Sequence, residues 1–190
     1  GCASLCGPKT PPKIVWTYWS GDLSPGAEIC QRTWDVYLHG YEIRRLSPDN
    51  IHHYIPELPI FPSDLPIQLQ SDWIRLTLLK NFGGIWIDYS TILTKPIDWA
   101  FSILEKNRTE ALAFYNEFPD EYRSSDQAPV IENGFLIAHA QSKFISDWRD
   151  EFHDCIFSND YRNHFRQKSN YDQLTFNFLN KNQKLIDYLC

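Results

Sequence analysis

Two rhythms of apolar and polar positions run along this chain. Lys13 to Trp19 (K-I-V-W-T-Y-W) is β-branched and aromatic and predicts a first strand, broken by Ser20-Gly21-Asp22. Ile29, Trp34, Tyr37 and Leu38 then recur at helical spacing, with Pro25 suited to the first turn of that helix. Tyr41 to Leu46 predicts a second strand and Asn50 to Ile55 a short helix, and the prolines at 59, 62 and 66 make the following stretch a loop. From Ser71 to Phe82, Trp73, Ile74, Leu76, Leu78, Leu79 and Phe82 form a broad apolar surface, with Ser71 as the capping residue and Gly83 at the left-handed stop. Ile85-Trp86-Ile87 is apolar on both faces, as a central parallel strand is. Ala111 to Tyr115 and Val130 to Ala138 predict strands, Phe144 to Ile156 a helix, and Tyr171 to Leu189 a last helix. Strands alternating with helices predict an α/β fold, a mostly parallel central sheet flanked by helices. Residues 1–12, rich in Gly, Pro and small side chains, form a flexible lead-in to a single domain over 13–190.

Composition narrows the functional class. The formal charge of -6 argues against nucleic acid, which asks for a basic stripe. Aromatic residues make up 15% of the chain, enough for a dense core or a cleft that stacks planar rings. The apolar runs fall short of the ~18 residues that a membrane span needs. The chain begins at Gly1 and contains no Met, which places the natural start, and any anchor giving peripheral membrane association, outside it. Its five cysteines are scattered without a C-x-x-C pair, which favours a reducing, cytoplasmic compartment over a disulfide scaffold or a zinc site. The six histidines lack metal-ligand spacing and read as surface or loop residues.

The chemistry concentrates between Ser71 and Asp98. Asp72 and Arg75 share one helix face. On spacing alone an exposed ion pair, worth at most a few tenths of a kcal/mol, is the favoured reading, and the neighbouring residues change it. Gly83-Gly84 lets backbone approach a ligand closely. Asp88 follows an apolar triplet, and a carboxylate at the end of a buried strand must be hydrogen-bonded, paired or metal-bound. Ligands of open α/β sheets bind at the carboxyl ends of strands, where Asp88 lies.

The run S-D-W-I-R, then N-F-G-G-I-W-I-D-Y-S, then T-K-P-I-D resembles the glycosyltransferases of the capsular polysaccharide synthesis type, relatives of the Och-type mannosyltransferases and, more distantly, of the large clostridial toxin glucosyltransferases. The resemblance extends from Pro12 to Glu151, through Pro12-Lys13-Ile14-Val15-Trp16, Ile131-Glu132-Asn133-Gly134-Phe135 and Phe144-Ile145-x-x-Trp148. It implies a GT-A type, Rossmann-like fold and transfer of a hexose, with retention, from a UDP- or GDP-sugar to a glycan acceptor. It implies that Asp72 and Arg75 hold hydroxyls of the donor sugar and that Asp88 opens a D-x-D motif contacting the ribose or a divalent metal, Mn²⁺ or Mg²⁺. Trp16 and Thr17 would lie beside the base, Gly84 and Ser90 along the donor, and Asn133 and Gly134 on the sugar or acceptor side. Ser90 stands where the fuller motif has its second acid, so the metal ligands are Asp88 and a weaker hydroxyl, with Glu132, Asp126 and Asp172 as substitutes. Asp120, Glu121, Arg123 and Asp126 form a polar loop suited to closing over the donor, and Arg162, His164, Arg166 and Lys168 a positive patch. The alternative is a non-catalytic nucleotide-sugar or glycan-binding module derived from a transferase.

Overall fold

The computed structural model describes residues 10–116 and 130–164. Five strands form one sheet: β1 (Ile14–Tyr18), β2 (Glu42–Leu46), β3 (Gly84–Ile87), β4 (Ala111–Asn116) and β5 (Val130–Ala138). Their order is β2-β1-β3-β5-β4. β2, β1 and β3 run parallel, β5 is antiparallel to β3, and β4 is antiparallel to β5. Four strands thus share one direction and β5 alone opposes them. The sheet is flanked by α1 (Pro25–Tyr37), α2 (Ile67–Phe82), α3 (Trp99–Asn107) and α4 (Lys143–Ile156).

Alternation along the strands splits the core into two layers. Trp16, Trp86 and Leu136 pack with Trp73, Ile74, Leu78, Ile145 and Ile156 of α2 and α4. Val15, Ile85, Ile87 and Ile137 pack with Trp34, Leu38, Ala100 and Leu104 on the side of α1 and α3. Ser24 caps α1 by accepting from the Ala27 amide at 3.2 Å, with Pro25 following it. Ser142 caps α4 through the Ile145 amide at 3.3 Å, and Glu110 accepts from the Lys143 and Phe144 amides at 2.7 and 2.9 Å. Among the described residues no helix is long and apolar enough to cross a membrane.

Three local expectations change. α2 begins at Ile67, not Ser71, because the Pro66 carbonyl accepts from Leu69 and Gln70 and the Gln70 side chain bonds the Leu65 carbonyl. Asp72 and Arg75 therefore sit in the helix interior. The short helix near Asn50 is a 3-10 turn over Ile51–His53. Gly83 has φ 66 and ψ -170, positive in φ but outside the left-handed helical well. A Cβ at Gly83 would meet the Ala140 nitrogen at 2.5 Å, and one at Gly84 the Ile14 carbonyl oxygen at 2.6 Å. The glycine pair lets backbone pack against backbone, with Gly84 set against the Ile14 carbonyl and the Trp16 ring. The predicted lead-in, the 120–126 loop and the last helix fall outside the described residues, apart from Thr10, Pro11 and Pro12.

α2 and α4 are joined by a polar seam. Trp73 Nε1 donates to His153 Nδ1 at 3.0 Å, Arg149 Nε donates to Thr77 Oγ1 at 3.2 Å, and Lys80 pairs with Asp150 at 2.6 Å. The bond from Trp73 requires His153 to be neutral at Nδ1. Burial, then the Arg149 charge, hold the imidazole below its ordinary value, while Asp154 and Asp150 oppose them and Lys80 assists. A depressed histidine leaves the unfolded chain to take up the proton first. Stability is therefore complete above about pH 6.5 and is lost as pH falls below it toward the folded value. His153→Gln, measured by melting temperature between pH 7.5 and 5, is expected to show a shallower acid slope than the wild type. An identical slope would remove His153 from this role.

Candidate active site

The carboxyl ends of β1 and β3 open onto a cavity of about 300 Å³. Its wall carries Tyr18, Trp19 and Ser20 after β1, Ile67, Gln68, Ser71 and Arg75 from α2, and Asp88, Tyr89 and Ser90 after β3. A larger cavity of about 750 Å³ lies at β4 and the start of α4, away from the clustered charges, and is lined mainly by apolar side chains and backbone.

Arg75 is the hub of the site. Its side chain is only 7% exposed and sits between two carboxylates, Nη2 at 3.0 Å from Asp72 Oδ1 and Nη1 at 3.2 Å from Asp88 Oδ1. Nη1 also donates to the Asn133 carbonyl at 2.6 Å and to Asn133 Oδ1 at 2.9 Å. Asn133 Nδ2 closes the ring by donating to Asp72 Oδ1 at 3.0 Å. Beneath, the Trp86 ring lies 4.8 Å from the guanidinium carbon, and Trp86 Nε1 donates to Asp88 Oδ1 at 2.8 Å. A buried charge is tolerated only with such pairing. Burial, with a contribution from Asp88, pushes the Asp72 carboxyl above the ordinary aspartate range, while Arg75 and the Asn133 amide pull against it.

Asn133 reaches this ring because β5 is irregular there. Ala113 pairs with Leu136 but the next residue, Phe114, pairs with Glu132, so Asn133, Gly134 and Phe135 have no partner on β4. Extra residues of this kind re-aim side chains beside functional sites. On the other side Gly134 accepts from the Asp88 amide at 2.9 Å, and its bare α-carbon makes room for the carboxylate, since a Cβ would lie 2.9 Å from Asp88 Oδ2.

The residues expected to meet a ligand thus divide. Arg75, Asp88 and Ser90 line the cavity, while Asp72, Asn133 and Gly134 brace them from behind. Trp16 is fully buried: Nε1 bonds the Gly83 carbonyl at 2.9 Å and the ring packs edge-on to Tyr54. Thr17 is likewise inaccessible, its hydroxyl without a hydrogen-bond partner among the described residues. Neither offers a surface to a base. The next two residues along the chain, Tyr18 and Trp19, line the cavity instead, with the Trp19 and Tyr89 rings 5.5 Å apart. Their signal was present in the K-I-V-W-T-Y-W run, which does not say where the strand leaves the core. Among the described residues no group of three or more His, Cys, Asp or Glu is arranged to hold a metal. Of the expected positive patch, His164 pairs with Glu151 at 3.0 Å, and Arg166 and Lys168 lie outside the described residues.

Residues 6–190 match the family model described as "Capsular polysaccharide synthesis protein". The chain is 28% identical over 169 residues to the O-glycosyltransferase braB of Annulohypoxylon truncatum, covering 76% of this chain and 38% of that protein. It is 27% identical over 164 residues to the initiation-specific alpha-1,6-mannosyltransferase of Saccharomyces cerevisiae, covering 73% and 33% respectively. It therefore spans about two fifths or less of these curated relatives. Among solved structures it resembles the glycosyltransferase PaToxG, with a TM-score of 0.54, 14% identity, and coverage of 94% of this chain and 73% of that one. That likeness establishes the shared fold.

Proposed function

Because the chain belongs to the capsular polysaccharide synthesis protein family, we propose that it forms the donor-binding part of a glycosyltransferase, which moves a hexose from a UDP- or GDP-sugar to a glycan acceptor with retention. The observation that carries this reading is the Asp72–Arg75–Asp88–Asn133 ring behind a cavity at the carboxyl end of the sheet. A guanidinium held at both Nη atoms, beside a carboxylate that is 43% exposed, presents donors and acceptors to vicinal hydroxyls. Tyr18, Trp19 and Tyr89 supply ring faces for a base or sugar.

A divalent cation fits this site only as a shared ion. Asp88 Oδ1 is occupied by Trp86 and Arg75, which leaves Oδ2 and the Ser90 hydroxyl as protein ligands. One carboxylate suffices for Mg²⁺ when substrate phosphates and water complete the shell. When bound, such an ion neutralises charge that develops on the diphosphate leaving group. Asp88 is oriented for this by Trp86, and Arg75 keeps its place by Asp72 and Asn133.

The test is transfer and hydrolysis with a panel of nucleotide sugars, with and without Mn²⁺. Turnover of one donor supports the reading, and failure of every donor to bind sinks it. Ser90 in place of a second acid favours the other reading, a binding module, and donor binding without turnover would establish it. Within the leading reading, Gly134→Ala is expected to displace the Asp88 carboxylate and leave the backbone in place. Donor affinity should fall by about 10- to 100-fold, with stability changed by about 1 kcal/mol or less. Unchanged affinity would show that the carboxylate position does not matter.

A further inference from the structure

Asp88 itself is held by Arg75, Trp86 and the Gly134 carbonyl, but the turn that follows it has few hydrogen bonds of its own. Within it the Thr91 amide donates to the Asp88 carbonyl at 2.9 Å, and Ile92 is 59% exposed. What holds it is the side of α1. Cys30 Sγ lies 3.2 Å from the Ser90 carbonyl, Gln31 Nε2 donates to the Tyr89 carbonyl at 2.7 Å, and Trp34 Nε1 donates to the Thr91 carbonyl at 2.8 Å. Thr33 Oγ1 accepts from the Leu93 amide at 2.9 Å. Side chains within little more than one turn of helix therefore hold four positions of the segment Tyr89–Leu93, all of them through its backbone.

Gln31 occupies the middle of this arrangement and is the most constrained member. It is buried, and both ends of its amide are used: Oε1 accepts from Arg45 Nε at 2.7 Å while Nε2 faces the Tyr89 carbonyl. Arg45 cannot accept and a carbonyl cannot donate, so the two partners fix which way the amide points. Arg45 is itself tied to Asp35 at 3.3 Å and lies 6.0 Å from the Trp34 ring. The chain of contacts runs from β2 through Gln31 to the backbone of the residue after Asp88.

We propose that α1 is the positioning element of the active-site turn and that Gln31 is its positioning residue, setting where Asp88, Tyr89 and Ser90 stand relative to Arg75. This rests on the nucleotide-sugar reading of the site for its consequence in turnover, but not for its effect on the turn. Gln31→Glu is the sharp probe. It keeps the volume and the acceptor for Arg45, and so the fold, but turns a carboxylate oxygen toward the Tyr89 carbonyl, acceptor against acceptor.

Hydrogen exchange reads the turn directly: the Thr91 and Leu93 amides should exchange about tenfold faster in Gln31→Glu. With the nucleotide sugar that the wild type turns over, kcat/KM should fall on the order of 10- to 100-fold. The loss should be carried mainly by KM for the donor. A merely destabilised protein would lower kcat through its active fraction and leave KM alone. Thr33→Val, which removes the acceptor for Leu93 at the far end of the turn, should act in the same direction and stands in if the first variant fails to fold. Ile29→Ala, on the exposed face of the same helix, should change neither readout. Unchanged exchange, or faster exchange with wild-type kinetics, overturns the inference. A wild-type protein that binds no nucleotide sugar sinks the functional reading instead, and exchange alone then decides whether α1 holds the turn.

Discussion

Asp88→Ala is expected to abolish sugar transfer while the protein stays folded. Asp88 is the one carboxylate of the ring with substantial exposure, 43%, and it lines the cavity, so its removal empties the wall and leaves the core intact. Loss of a charge aimed at the reacting groups costs on the order of 10²–10³ in kcat. Loss of donor contact adds to it in KM. Isothermal titration with the accepted nucleotide sugar and a thermal melt check the two halves. Asp88→Asn refines the result: it keeps an oxygen for Trp86 Nε1 to donate to but loses the charge, so a response to Mn²⁺ should disappear even where some donor binding survives. Wild-type affinity in Asp88→Ala would remove Asp88 from the site.

Arg75→Met is expected to have the largest effect on stability. The guanidinium is almost fully buried and holds Asp72, Asp88 and both oxygens of Asn133. Removing one partner of a buried pair costs about 3–5 kcal/mol, because the other charge is left uncompensated. Asp72, already raised by burial, loses the cation that pulled it down. An acid raised in the folded state contributes stability that is present at low pH and lost as pH rises through its folded value. The variant should therefore be weakest at neutral and alkaline pH and recover part of its stability on mild acidification. Asp72→Asn added to Arg75→Met should restore stability at pH 7.5. Urea unfolding at pH 5 and 7.5 measures both, and an equal loss at the two values with no rescue would refute the account. Arg75→Lys, a point charge in place of a fork, should fold better but lose on the order of 100-fold in kcat/KM.

Much of this architecture was legible in residue patterns, and the exceptions have physical causes. β1, β3, β5, α1 and α4 follow from residue patterns, although the inward face of α1 carries Ala27, Cys30, Gln31 and Trp34 and leaves Ile29 exposed. The start of α2 escaped because Pro66 and the Gln70 amide form its first turn without a standard capping side chain. α3 went unread: it is nine residues long, and Asp98 at its start makes no capping bond, bonding Tyr41 and lying 3.6 Å from Lys13 instead. Asp72, Arg75 and Asp88 were visible as spacing and as a family resemblance. Gln31 was not, because its partner is a carbonyl, and a backbone acceptor leaves no trace in residue identity. The resemblance put Trp16 and Thr17 beside a base, and nothing in a run of aromatic residues marks the point where a strand passes from core to solvent.

The irregular stretch of β5 makes the site depend on strand register. Asn133 and Gly134 are held by α2 and by the residue after β3, three and four residues inside the strand. A deletion inside β5 that restored regular pairing with β4 would withdraw the Asn133 amide from Asp72 and Arg75 while leaving both of those residues in place. The pairing pattern of one strand thereby governs a charge cluster on a neighbouring helix, and that cluster can be retuned from β5 alone.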